Sequence, residues 1–493
     1  MMMNKYESGQ LGRRSLLAAA VAAAGLGLVG CSAGESKASP GQRLALDDGT
    51  SQVPAAAAGT VTKVVVIGAG IAGLVAAQAL HQAGVAVTVL EARDRVGGRL
   101  HTVDLDGVPV DLGAAWVHNG DGSPLLPVFS DLATPLLPAA ITQLVSTADV
   151  LNRATGRFPD PALSDEMADL MHRLADGLPR LARQQGNRIS LQEGIDGLAD
   201  GSSRQAAVTV EALLSLYDGV DTNHLGLANF VGFVSEGAEE HDKFPKGGYR
   251  PLVQSLTAGL DLRTNTPVQQ IHQHADGVTV VHDRGELQAS HVLLTVPLGV
   301  LKSGTIAFEP ALPAAKATAI SRMGFGSFEK VALSYPRPLW PDGKPHHIIV
   351  ADPGRAWPLI LDMSAWYQRP VMVALSPGSP AAKVAALPEK DRIAQVRSII
   401  DQAVGGKAPE PTAAVATSWA VDPYLRGCYS SIARDSTSEE FTADLTALQA
   451  PHRRVLFAGE ATHTDFAIVD GAWLSGLREA KRLLQQPRLT LRL

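Results

Sequence analysis

An α/β fold is predicted, and three observations between Val64 and Glu91 predict it. Val64-Val65-Val66-Ile67 is an unbroken apolar, β-branched run, as a parallel strand buried on both faces requires. Gly68-Ala69-Gly70-Ile71-Ala72-Gly73 follows it. Gly68 permits a tight turn, Gly70 lets the backbone approach a pyrophosphate, and Gly73 lets the next helix pack against the sheet. Leu74 to Ala83 is rich in Ala and Leu and has no breaker, so its N-terminus offers free N–H groups and a positive dipole end. Val87 to Leu90 reads as a second strand. Glu91 ends it about 20 residues beyond the glycines, where a carboxylate can accept from ribose hydroxyls. Strand, glycine turn, helix, strand and acid in this order specify a Rossmann-like dinucleotide-binding unit.

The next residues narrow the cofactor. Glu91-Ala92-Arg93-Asp94-Arg95-Val96-Gly97-Gly98-Arg99 resembles the E-A-x-x-R-x-G-G-R extension of flavin amine oxidases. The resemblance implies FAD rather than NAD, with Arg93, Gly98 and Arg99 joining Gly68, Gly70, Gly73 and Glu91 around it.

A length of 493 residues suggests two or three domains. The chain is 45% hydrophobic and 19% charged, enough apolar material for several cores. A net charge of −6 gives no electrostatic reason to expect nucleic-acid binding. No internal repeat, coiled-coil heptad or metal site is expected. Arg13-Arg14-Ser15-Leu16-Leu17 resembles a twin-arginine export signal, and the uncharged run from Ser15 to Gly30 suits its apolar core. Leu28-Val29-Gly30-Cys31 resembles a lipobox. That implies cleavage before Cys31 and a lipid on its thiol; an ordinary signal peptide with a chance cysteine is the alternative. The expected location is therefore periplasmic or cell-surface, with the membrane touched only through that lipid. Residues 32–60, rich in Ser, Gly, Ala, Pro and Gln, read as a flexible tether.

His101 to Asp111 alternates about Asp106-Gly107, a hairpin signal. Asp111-Leu112-Gly113-Ala114-Ala115-Trp116-Val117-His118 resembles the D-L-G-A-S-W-I-H-G block of polyamine-oxidase-like members. The implication is that Gly113, Ala114 and Trp116 line the flavin and His118 faces the substrate cavity, although His118 also reads as an ordinary core histidine. From 124 to 243 strand patterns fade, and Asp165 to Leu181 and Ser203 to Leu216 read as helices. The acidic run Glu236 to Asp242 is a solvated loop or an attractor for a cationic amine. Phe244 to Tyr249, followed by Leu252 to Leu260, resembles the family's G-G-x-x-x-L block. Val268 fits a strand at the adenine end. The run ending in Thr295-Val296-Pro297-Leu298-Gly299-Val300-Leu301 matches V-I-x-T-V-P-L-G-V-L and adds Pro297 to the cofactor set. Strands are expected at Lys330 to Tyr335, His347 to Ala351 and Val371 to Leu375, with a helix from Glu389 to Val404. The expected organisation is an FAD-binding domain discontinuous in sequence (61–123, 244–305, 440–485) and an inserted α+β substrate-binding domain (124–243, 306–439).

Met323-Gly324-Phe325-Gly326-Ser327-Phe328-Glu329-Lys330 resembles the block whose lysine holds a water against flavin N5. An ammonium there favours the negative charge that develops on reduction. In Gly427-Cys428-Tyr429 the tyrosine matches one wall of the family's aromatic cage. The opposite wall, aromatic in many members, falls at Ile468, so this sequence has half a cage. Val469 and Asp470 match residues near the flavin pyrimidine, and Glu460 matches the residue at the ribityl chain. Gly-Cys-Tyr also resembles monoamine oxidases, where the cysteine carries the flavin through a thioether; a small buried thiol filling a serine's space is the alternative for Cys428.

These resemblances imply hydride transfer to FAD from a carbon beside an amine nitrogen. Lys330, Tyr429 and His118 stand at the reacting end, and Trp116 and Ile468 form pocket walls. The product imine hydrolyses, and O2 or a periplasmic electron carrier reoxidises the flavin. The substrate is a polyamine-like or other primary or secondary amine. An L-amino-acid oxidase is the closest rival, but no arginine is assignable to a substrate carboxylate. A flavin-binding scaffold without turnover is the reading from another class.

Overall fold

A computed structural model describes residues 60–118, 122–139, 141–235, 242–486, 489 and 491. The export signal, Cys31 and the tether lie outside the described residues. Among those described, no helix is long and apolar enough to cross a membrane.

The first unit is built on a five-stranded parallel sheet. Its order is Val455–Phe457, His291–Leu294, β1 (Lys63–Ile67), β2 (Ala86–Leu90) and Asp261–Arg263. β1 is central, and Val64, Val65 and Val66 are fully buried because neighbours cover both faces. Helix α1 (Ile71–Gln82) starts directly after the glycine turn. A Cβ on Gly73 would lie 2.0 Å from the carbonyl oxygen of Gly68, so only glycine lets α1 approach the turn. The C-terminal helix Val469–Leu484 crosses α1 where Gly476 meets the carbonyl of Ala72. Asp106 and Gly107 both take positive φ (58° and 79°) between Thr102–Leu105 and Val108–Asp111, the two-residue hairpin expected.

A four-stranded sheet packs beside this one, in the order Gly285–Ala289, Val278–His282, Val268–Gln273, Ala307–Glu309. Its last strand corrects the division expected at 305/306. Ala307–Glu309 pairs with Gln270–His272, and the following helix Ala314–Arg322 packs through Ile320 against Phe441 and Leu445. The chain therefore stays with the first unit until about residue 322.

The second unit is a six-stranded sheet with helices on both faces. Its order is Ala413–Ala416, β3 (Phe328–Ser334), Val371–Pro377, Leu359–Asp362, Ile348–Ala351 and Asp149–Asn152. Alternation divides its side chains. Ala332, Leu361 and Val373 face helices α2 (Pro161–Gln185) and α3 (Arg204–Asp218), while Val331, Leu333, Ile360 and Met372 face the helix Glu389–Ala403. Helix α2 outruns its expected ends because Asp160 accepts from the Leu163 N–H, Pro161 takes the first helical position, and Gly186 stops it with φ 60°. The stretch 124–243 is not purely helical. Asp149-Val150-Leu151-Asn152 carries too short an apolar run to announce a strand, and it forms one by pairing in parallel with Ile348–Ala351. In the block at 244–260 a short helix runs from Arg250 to Ser255, and Gly259 turns the chain with φ 74°.

Candidate active site

A cavity of about 1310 Å³ lies where the two units meet. Its wall holds most of the expected residues: Gly68, Gly70, Glu91, Arg93, Gly98, Arg99, Gly113, Ala114, Trp116, His118, Val268, Pro297, Lys330, Cys428, Tyr429, Glu460, Ile468 and Val469. Gly73 stands behind the wall, as its packing role requires. Asp470 does too: it is buried in the first turn of the C-terminal helix and accepts from Ser123 Oγ at 3.0 Å.

At the first-unit end, Glu91 ties the glycine turn together. Its Oε2 accepts from Ala69 N at 2.8 Å and its Oε1 from Arg93 N at 2.9 Å, leaving each oxygen a further lone pair. Gly97 N donates to Ala69 O at 2.7 Å, so the Gly-Gly-Arg segment wraps the turn. A Cβ on Gly70 would meet nothing within 4 Å; the missing side chain opens onto the cavity. Helix α1 begins there with no side-chain cap. Arg99 Nη1 donates to Glu460 Oε1 and to the Cys428 carbonyl, both at 2.8 Å. Glu460 is buried and also accepts from the Ser430 hydroxyl and from Ala467 N.

Several wall and neighbouring residues escaped the sequence reading. Trp419 carries the guanidinium groups of Arg93 and Arg95, each 5.9 Å from its ring centre. Asp422 pairs with Arg93 at 2.5 Å. Burial, then Arg93, lowers Arg95 to about 10. Burial and the same two arginines push His101 down to about 4. Thr295 lines the wall and donates to Ile67 O and Gly68 O. These contacts join segments far apart in sequence, and no local pattern marks them.

Lys330 lies on β3, its N–H held by Thr417 Oγ1 at 2.7 Å. Its side chain is buried, donates to Gly113 O at 2.7 Å and to Asp111 O at 3.3 Å, and stands 5.6 Å from the Trp116 ring centre. Burial lowers its pKa to about 8 against the opposing pull of Asp111. Asp111 itself is raised to about 6 by burial, with the Thr102 hydroxyl and Tyr249 N bonding one oxygen.

Tyr429 is held by its hydroxyl on Leu216 O at 3.3 Å and tilts against Phe328. Gly219, the left-handed cap of α3, lets that helix end against both Cys428 and Tyr429. A Cβ there would fall 2.9 Å from Cys428 Sγ and 3.2 Å from the tyrosine oxygen. Burial pushes the Cys428 thiol up, and Arg99 acts against that rise.

His118 Nδ1 bonds Asp242 Oδ2 at 2.9 Å. An antiparallel bridge between Val117 and Lys243 sets the two side chains opposite each other. Asp242 is thus part of the cavity wall with no exposed side-chain surface, not the solvated end of an acidic loop. Glu236 to His241 lie outside the described residues.

Residues 71–484 match the family described as flavin containing amine oxidoreductase. The chain belongs to that family. Residues 33–105 also match the family described as pyridine nucleotide-disulphide oxidoreductase, across the glycine turn. Polyamine oxidase 4 of Oryza sativa subsp. japonica is 31% identical over 449 residues, covering 86% of this chain and 89% of that protein. Human lysine-specific histone demethylase 2 is 30% identical over 445 residues, 85% of this chain but 53% of the demethylase. A structure of wild-type putrescine oxidase bound to putrescine superposes with a TM-score of 0.67 at 23% identity, covering 86% of this chain and 99% of that one. A double mutant from the same redesign of cofactor binding gives 0.66 at 24% identity, covering 86% and 100%. At that identity the likeness shows the fold.

The amine oxidase is therefore an FAD-dependent oxidoreductase acting on amines, and its cavity fits FAD. The open Cβ position of Gly70 at an uncapped helix N-terminus is a cradle for a pyrophosphate. The volume exceeds the roughly 300–1,000 Å³ of a single small-ligand site, leaving room for a substrate beside the cofactor.

Proposed function

We propose that this oxidase acts on a polyamine-like or other primary or secondary amine. FAD, when bound, supplies the acceptor that takes hydride from the carbon beside nitrogen, and the resulting imine hydrolyses to an aldehyde and an amine. The observation that carries this reading is Lys330. It is a buried lysine on the same cavity wall as the glycine turn, bonded to the Gly113 carbonyl and standing over Trp116. Its charge favours negative charge developing in the cavity, where water does not screen it. Tyr429 and Ile468 wall the reacting end and exclude water, and His118 lies beyond Trp116. Gly68, Gly70, Glu91, Arg99 and Glu460 hold the cofactor. The resemblance to polyamine oxidase 4 supports the polyamine-like substrate.

An L-amino-acid oxidase is less well supported. Of the cavity-lining arginines, Arg93, Arg99 and Arg478 are paired with Asp422, Glu460 and Glu479, and Arg426 donates to the Pro423 carbonyl. That leaves a substrate carboxylate without an evident partner among them.

We also propose that Cys428 is a covalent attachment point for FAD, on its place in the wall directly before Tyr429. The twin arginines and Cys31 support export and lipid anchoring, with O2 or a periplasmic carrier as acceptor. An amine panel assayed with O2 and with an artificial electron carrier, reading aldehyde formation, tests the proposed activity. Aldehyde from di- and polyamines supports it; aldehyde from none of the amines with either acceptor refutes it.

A further inference from the structure

We propose that Glu329 is a positioning residue for the cofactor: from the second unit's sheet it holds the loop 417–422, and that loop holds Arg93 and Arg95 beside the glycine turn of the first unit. The inference rests on the cavity's fit to FAD and not on the identity of the amine.

Strand β3 carries two adjacent charges that its alternation sends to opposite sides. Lys330 lines the cavity, whereas Glu329 points away from it and is fully buried. One oxygen of Glu329 accepts from the Thr417 hydroxyl and the other from Ala420 N at 2.9 Å. Thr417 is itself bound to β3. Lys330 N donates to its Oγ1 at 2.7 Å, and Thr417 N donates to the Lys330 carbonyl at 2.9 Å. Beyond Thr417 the chain leaves the sheet and makes one short 3-10 turn, Trp419–Val421. The first N–H groups of such a turn have no partner within it, and Ser418 before it provides no side-chain cap. Glu329 supplies from another strand what a local cap would supply.

The turn is a platform. Trp419 is buried, with the guanidinium groups of Arg93 and Arg95 each 5.9 Å from its ring centre and His101 edge-on at 6.1 Å. Asp422, directly after the turn, pairs with Arg93 at 2.5 Å. Arg95 Nη1 reaches on to the Gly98 carbonyl at 2.9 Å. Arg93 N donates to Glu91, whose other oxygen holds Ala69 N of the glycine turn. Two neighbouring guanidinium groups repel one another, and the indole face and Asp422 offset that repulsion. A positive pair is thereby fixed near the uncapped N-terminus of α1, where Gly70 leaves room for a pyrophosphate. Without the Glu329 carboxylate, Ala420 N and the Thr417 hydroxyl lose their partner and the platform is free to shift. Binding the cofactor must then also order the loop, which weakens it.

The test measures FAD affinity by fluorescence titration of the full chain carrying Cys428→Ser, a background in which any thioether is removed and the cofactor exchanges. All titrations are made well below the melting temperature of each variant. Glu329→Ala should weaken FAD binding roughly 10- to 30-fold. Glu329→Gln, whose amide accepts from Ala420 N and donates to Thr417 Oγ1, should restore the affinity. Trp419→Leu should show a loss of its own, and adding Glu329→Ala to it should cause no further loss, because the carboxylate acts through the indole. Should the alanine variant not accumulate, Glu329→Asp, which keeps the charge but draws it back from the loop, should show the same weakening. FAD affinity equal to the parent's in Glu329→Ala or Glu329→Asp, even with a lowered melting temperature, overturns the proposal. So does a loss that adds in full to that of Trp419→Leu.

Discussion

The ammonium of Lys330 donates to the carbonyl of Gly113 at 2.7 Å, tying the second unit's sheet to the segment that follows the first unit's hairpin. This bond fixes a buried cation on the cavity wall, and its removal is the most informative single change. Lys330→Met keeps the volume and removes the charge. Flavin turnover is expected to fall by roughly 100-fold with FAD still bound. Stopped-flow rates for both half-reactions check it, and unchanged rates in both reject the role.

The same lysine sets a pH dependence. With its pKa lowered to about 8, it is charged below that value and neutral above it. If the ammonium assists the return of electrons to oxygen, the reoxidation rate of pre-reduced enzyme falls as pH rises through about 8. Lys330→Met should be flat there. The stability sign is the reverse of a salt bridge's. A lysine lowered on folding costs stability at pH values below 8, and that cost is relieved as pH rises from about 8 toward its ordinary value.

Gly70 and Gly73 separate cofactor binding from folding. A Cβ on Gly70 meets only the cavity, so Gly70→Ala should fold with an unchanged melting temperature as apoprotein yet retain little FAD. A Cβ on Gly73 meets Gly68 O at 2.0 Å, so Gly73→Ala should lose folded protein altogether. Thermal melts and the visible-to-ultraviolet absorbance ratio of both variants decide; similar behaviour of the two contradicts the assignment.

Why these features were legible in the sequence follows from how locally they are encoded. The glycine turn, Glu91 and the Asp106-Gly107 hairpin each act within one strand–turn unit, so spacing announces them, whereas Lys330 is marked only by the resemblance of its block to that of the family. Asp242 has no such mark. Its burial comes from a bridge between Val117 and Lys243, more than a hundred residues apart, and its place at the end of an acidic run reads as a solvated loop. Trp419 stacks on Arg93 and Arg95 from a loop over three hundred residues away. Asp149–Asn152 is a strand only because Ile348–Ala351 is there to pair with it. Asp470 matched its family block yet turns its carboxylate to Ser123, a partner that the motif does not contain.

The part-buried pair between Arg99 and Glu460 is expected to matter more for integrity than for chemistry. Glu460→Ala leaves Arg99 and the Ser430 hydroxyl facing an empty, buried position. Unfolding free energy should drop by about 3 kcal/mol. Urea denaturation of the apoprotein measures it, and a loss below about 1 kcal/mol places the pair in the class of surface ion pairs instead.

Cys428 decides how the cofactor is held. Acid precipitation of the native protein should leave yellow colour in the pellet, and Cys428→Ser should release it to the supernatant. Free FAD from the native protein refutes the covalent link.

The central claim, that this cavity oxidises amines with its bound flavin, is tested most directly by mixing FAD-loaded protein with di- and polyamines in the absence of oxygen. The account requires the flavin's visible absorbance to bleach at a rate that saturates with amine and is strongly slowed in Lys330→Met. An oxidised spectrum that persists with every amine, in protein shown to hold FAD, would contradict it.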